Sequence, residues 1–258
     1  MDFSPVPIGD QQFYNYIFIG ILAGGRPVTA MFDTRGNTLI PEKLAKDLDI
    51  EYIDQKPIDE KRGFRRAKLS SMDIGNLKLK EVPVLVCKDK VLDLGVDPVG
   101  NVFRADMVLG WNVISQLVFR GDLRKGKFEV QTSDFRKPSK KGKVNMPVFN
   151  ISLQGKTHKA AIDTSRPVTI ISEDIAASIK VEDENVASTI KMLGLDHKEV
   201  AYETKFTFKI DEREVKVPSS QVEPALNGSD IQIVFGADLL RHTSWALYNP
   251  MGYIRVSN

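Results

Sequence analysis

Short apolar runs of strand length recur along the chain, with turn residues between them. Ile17 to Leu22 and Val28 to Phe32 flank Gly24-Gly25, a pattern that predicts a hairpin. Lys68 to Met72 and Leu77 to Val86 flank Gly75-Asn76 in the same way. Later, Lys205 to Ile210 and Glu214 to Val217 predict another strand pair. Helical signals are few. Pro41 to Leu48 carries Pro and Glu at its start, and Ser172 is placed to cap a short helix running to about Ile179. Gly126 and Gly252 fall in the turns of closing hairpins.

These elements come in two diverged copies. At an offset of 130 (163 − 33), Gly25, Ala30, Asp33 and Thr34 match Gly155, Ala160, Asp163 and Thr164. One inserted residue moves the offset to 131, where Thr38, Ile40, Glu42 and Ala45 match Thr169, Ile171, Glu173 and Ala176. Val108-Leu109-Gly110 parallels Val234-Phe235-Gly236, and Gly126, Phe128 and Val130 parallel Gly252, Ile254 and Val256. Four blocks in one order divide the chain into an N-terminal half, 1–133, a linker, 134–146, and a C-terminal half, 147–258. The linker contains Arg136-Lys137-Pro138-Ser139-Lys140-Lys141-Gly142-Lys143 and reads as a solvated connection.

The two signatures, Phe32-Asp33-Thr34 with Val108-Leu109-Gly110 and Ile162-Asp163-Thr164 with Val234-Phe235-Gly236, resemble those of retropepsin-like aspartic proteases. The stretch Leu77 to Val86 is similar to one in bacterial members. The resemblance covers the chain from about Tyr16 and implies an all-β fold. It implies two retropepsin-like β-barrel halves about a pseudo-two-fold axis, each with one short helix. It also implies a catalytic dyad of Asp33 and Asp163, with Thr34 and Thr164 interlocking the two turns. Gly110 and Gly236 would each pack beside their own turn. In such a dyad two carboxylates share one proton around a water, one acting as base and the other as acid.

The chain departs from the family where Gly follows Asp-Thr: Arg35 and Ser165 stand there instead. Side chains at these positions are expected to crowd the site. Arg35 and Arg166 also put a cation near each Asp, which is expected to lower the carboxylate pKa and oppose proton sharing. The flap of the family falls near Glu60 to Arg66 in the first half and near Met192 to His197 in the second. The first is strongly basic and either favours an acidic partner or pairs with Asp residues of this chain. Two functions remain open: an aspartic endopeptidase, or a degenerate protease-like protein that binds a peptide or protein as a scaffold. The Asp residues also fit a structural role, paired with nearby backbone N–H groups and arginine.

Composition narrows the partners. The chain has 258 residues, with 36 basic against 34 acidic side chains, for a net charge of +2. That balance argues against nucleic-acid or membrane binding as the main task. A peptide or protein partner is expected, and a monomer or weak homo-oligomer. No cofactor is expected, and His158, His197 and His242 lack metal-ligand spacing with the lone Cys87. Cys87 itself reads as a buried core residue. The N-terminus has neither a basic start nor an apolar run of signal length, so a cytoplasmic protein is the default expectation.

Overall fold

The computed structural model describes residues 3–9, 16–96, 102–132, 146–179, 184–192, 195–202, 206–210, 213–217 and 220–258. Most of these lie in β-strands, organised as two barrel-like sheets, a third sheet that links them, and a two-stranded pair, Asp93–Val96 with Val102–Arg104. In the first half, strands Phe18–Ala23, Arg26–Phe32, Met107–Leu109, Leu39–Pro41, Leu77–Cys87 and Arg65–Ile74 follow one another. Pairing of Leu22 with Asp73 and of Ala23 with Met72 closes them into a barrel. The turns are those the glycines predict: Gly24, Gly25 and Gly75 all have positive φ, which costs a glycine little.

The second half repeats this pairing in a more open sheet. Strand Arg26–Phe32 runs parallel to Met107–Leu109, with Ala30 opposite Met107. Strand Lys156–Ile162 runs parallel to Ile233–Phe235, with Ala160 opposite Ile233. The antiparallel contact of Leu39 with Val108 returns as Ile170 with Val234. Even the contact of Leu22 with Asp73 has its counterpart in Ser152 with Lys209. The long hairpin Arg65–Ile74/Leu77–Cys87 is matched by shorter pieces, Leu195–Tyr202, Phe206–Ile210, Arg213–Val217 and Ser220–Val222. The linker lies outside the described residues except for Met146.

Helix content departs from the one helix per half expected from the sequence. Helix α1 (Glu42–Asp47) is followed by α2 (Trp111–Ile114), and α3 (Glu173–Ser178) by α4 (Ala237–His242). Ser172 caps α3, its hydroxyl accepting from Ile175 N–H. The two unforeseen helices start directly after Gly110 and Gly236, which offer no side chain to cap them.

The third sheet joins the halves. Strand Leu117–Asp122 pairs antiparallel with Ser244–Tyr248, flanked by Lys127–Thr132 and Tyr253–Ser257, with Ser4–Pro5 at one edge. In this register Asp122 faces Ser244 and Val118 faces Tyr248, with Arg120 opposite Ala246 at the centre. The repeat offset here is 126 (252 − 126), so Arg120 and Ala246 are equivalent residues facing each other (120 + 126 = 246). A pseudo-two-fold axis therefore passes between them. Beside it, Phe32, Phe119, Phe128 and Trp245 form one aromatic cluster, with ring centroids 5.1 to 6.4 Å apart for the contacts of Phe32. Trp245 comes from the second half, and Phe32 is the residue before Asp33, so this packing anchors the first Asp-Thr turn to both halves.

Candidate active site

Each Asp-Thr turn leaves the end of a central strand and is held by the strand that carries the distal glycine. Asp33 N–H donates to Leu109 C=O and Asp163 N–H to Phe235 C=O, both at 2.9 Å. Trp111 N–H returns a bond to Gly36 C=O, and Ala237 N–H one to Arg166 C=O. Gly110 and Gly236 lie against their own turns. A Cβ on Gly110 would stand 2.2 Å from the Asn37 carbonyl carbon, and one on Gly236 2.5 Å from that of Val168. The backbone crosses itself too closely there for any side chain.

Behind each turn sits a polar support that the sequence reading did not single out. In the first half the Asn112 amide oxygen accepts from both the N–H and the hydroxyl of Thr38, at 2.8 Å each. Asn112 Nδ2 then donates to Pro83 C=O. In the second half Asp238 replaces Asn112 and accepts from the Thr169 hydroxyl at 3.0 Å. The signal was present in the repeated Thr38/Thr169 and in the residue two after each glycine. Asp238 is buried, and its Oδ2 has no hydrogen-bond partner. Burial raises its pKa to about 7 against the bonds from Thr169 and the start of α4.

The two turns meet through their threonines. Thr34 N–H donates to Thr164 Oγ1 at 3.0 Å, and Thr164 N–H donates to Thr34 Oγ1 at 3.1 Å. The Thr34 hydroxyl donates to Ile162 C=O at 2.8 Å, and the Thr164 hydroxyl to Phe32 C=O at 2.5 Å. The four bonds are related by the offset of 130, so the pseudo-two-fold axis runs between the turns as well. This crossing brings Asp33 and Asp163, from opposite halves, to one place. Both are buried, at 1% and 0% exposure.

Their surroundings differ. Asp33 Oδ1 accepts from Arg35 N–H at 2.8 Å and Gly36 N–H at 3.1 Å, while its Oδ2 is buried without a hydrogen-bond partner. Gly36 makes room for that oxygen, because a Cβ there would lie 2.6 Å from it. Asp163 Oδ1 accepts from both the N–H and the hydroxyl of Ser165. Asp163 Oδ2 takes the Arg35 guanidinium at 2.9 Å, with Arg166 Nε at 3.8 Å.

One expectation about charge needs correction, and another is outweighed. Arg35 and Arg166 do not serve one Asp each, since both guanidinium groups face Asp163. The backbone of Arg35 bonds its own Asp33, while its side chain crosses the axis. The charge of Arg35 does lower the Asp33 pKa, as expected, but it does not decide the outcome. Burial first, and the charge of Asp163 second, raise it to about 7, outweighing the two N–H bonds and the pull of Arg35.

The expected flap segment Glu60 to Arg66 forms a turn closed by an Asp59–Phe64 bridge. Its arginines pair inside the first half: Arg62 with Asp59, Arg65 with Glu42, and Arg66 with Asp54. In the second half the corresponding hairpin joins Glu184–Met192 to Leu195–Tyr202, and its tip lies outside the described residues. Cys87 is buried, and burial raises its thiol pKa to about 12. Among the described residues no group of His, Cys, Asp and Glu is placed to hold a metal ion. No helix among them is long and apolar enough to cross a membrane. A cavity of about 400 Å³ between Arg26, Lys43, Asp89 and Arg104 includes no residue of either Asp-Thr turn. No protein-family model matches the chain, and no curated protein matches it either.

Proposed function

We propose that this chain is an aspartic-peptidase-like protein whose Asp33/Asp163 dyad acts on peptide bonds and is held in a capped, weakly hydrolytic form by Arg35. The observation that carries the proposal is the ion pair of Arg35 with Asp163 across the axis, at a site where Asp33 stands ready to hold a proton. The two-lobed β architecture and the threonine crossing support the resemblance to retropepsin-like proteases.

In the reaction this implies, Asp163 takes a proton from water as the water oxygen attacks the peptide carbonyl carbon. Asp33 gives its own proton to the carbonyl oxygen, forming a neutral gem-diol. Proton transfer to the amide nitrogen then lets the C–N bond break. Arg35 opposes the first step twice. It engages the Asp163 oxygen that must act as base, and its side chain is the outermost part of the site. The alternative, a binding scaffold without turnover, is favoured by one further feature: Ser165 holds the second oxygen of Asp163.

A digestion series separates the two. An unfolded protein is incubated at mildly acidic pH with wild type, with Arg35→Gly/Ser165→Gly, and with that variant carrying Asp33→Asn. Fragments are scored by mass spectrometry. The expected result is slow cleavage by wild type, faster cleavage by the double variant, and none once Asp33 is Asn, which cannot supply the proton. Absence of cleavage by every variant supports the scaffold reading instead.

A further inference from the structure

We propose that the polypeptide taken by this site, granted the peptide-binding reading above, carries a carboxylate that pairs with the exposed edge of the Arg35 guanidinium. The site thus selects acidic peptides.

The Asp163 side chain is fully buried at 0%, and Arg166 is 11% exposed, but the Arg35 side chain is 51% exposed. The threonines and Ser165 are buried too. A ligand approaching the two turns therefore meets the Arg35 guanidinium before either carboxylate. That group carries five N–H donors in a planar fork. Its Nη1 is committed to Asp163, while the half-exposed remainder is open to a second oxyanion.

Charge points the same way. The guanidinium groups of Arg35 and Arg166 both face Asp163, while burial raises the pKa of Asp33 to about 7. A carboxylate on the ligand is the counter-charge that the exposed face of the Arg35 guanidinium can accept.

The carboxylate can come from a Glu or Asp side chain or from a chain terminus, and binding measurements distinguish them. Three fluorescein-labelled libraries of short random peptides serve as probes. Two are C-terminally amidated and differ only by a fixed central Glu or Gln, and the third is the Gln library with a free C-terminal carboxylate. Anisotropy titrations at pH 6 use wild type, Arg35→Gln and Arg35→Lys.

The Glu library is expected to bind wild type about tenfold more tightly than the Gln amide library, a difference of about 1.4 kcal/mol. The preference is expected to shrink in high salt, vanish in Arg35→Gln and persist in part in Arg35→Lys. A matching gain for the free-carboxylate library assigns the pairing to the chain terminus as well, and no gain restricts it to side chains. Equal binding of the Glu and Gln libraries, with no gain for the terminal carboxylate, overturns the acidic selection while leaving the peptide-binding reading in place. So does a preference that survives Arg35→Gln. No measurable binding of any library overturns both.

Discussion

Burial sets the protonation of two carboxyl groups in this protein. Asp33 and Asp238 both have pKa values raised from 3.8 to about 7, with burial the largest cause in each. Stability linked to such a group is fully present below the unfolded value and is lost as pH rises through the folded value. Asp122 works in the opposite sense. Its bonds from Arg124, Ser244 and Lys125 hold its pKa below the usual carboxylate range, so its contribution is lost as the solution becomes strongly acidic. The protein is therefore expected to be more stable to urea at pH 5 than at pH 8. Asp238→Asn isolates one part of this effect. It restores the amide found at Asn112, and it removes a penalty that reaches on the order of 4 kcal/mol at high pH for a rise of this size. Urea titrations at both pH values should show a clearly smaller loss for Asp238→Asn than for wild type. Identical losses would show that Asp238 is not the buried acid described here. At this scale the sequence did not disclose where the side chains point. The repeat marked Asp33 and Asp163 directly. That Arg35 bonds one Asp through its backbone and the other through its side chain depends on the crossing of two distant turns, which spacing along one chain does not encode.

Glycines fix where the elements can meet, and they do so in two different ways. Gly110 is required by contact: an added Cβ would lie 2.2 Å from the backbone of Asn37 and 2.3 Å from that of Thr38. Gly126 is required by conformation alone, having φ +64 in the hairpin turn with nothing within 4 Å of an added Cβ. Gly110→Ala is therefore expected to cost about 3 kcal/mol or more, because backbone on both sides must move. Gly126→Ala should cost only about 1 kcal/mol, the penalty of a left-handed residue. Chemical denaturation of the two variants tests the ranking, and a reversed or equal ranking would contradict the packing of Gly110 on the turn. The strands and turns of the first barrel were legible because their apolar runs are bounded by Gly24-Gly25 and Gly75-Asn76. Helices α2 and α4 were not, since each begins directly after a glycine, with no capping side chain to mark its start. The supporting contacts Thr38–Asn112 and Thr169–Asp238 were also missed, because the partners lie 74 and 69 residues apart.

At the scale of the molecule, the two copies form one structure through three devices on a common pseudo-axis. These are the strand pair centred on Arg120 and Ala246, the aromatic cluster around Phe32 and Trp245, and the reciprocal bonds of Thr34 and Thr164. Duplication was legible from the matched blocks, whereas the way the copies face each other came from pairings between them. The functional account depends on that facing, because one Asp from each half must share an electrostatic environment. The most direct test is the titration of the Asp33 carboxyl carbon by nuclear magnetic resonance, assigned with Asp33→Asn and repeated in Asp163→Asn. The wild-type midpoint is expected near 7. In Asp163→Asn the midpoint should fall, since a neighbouring negative charge is gone, yet stay above 3.8 because Asp33 remains buried. A wild-type midpoint near 4 that Asp163→Asn does not move would contradict the claim that the two residues form one site.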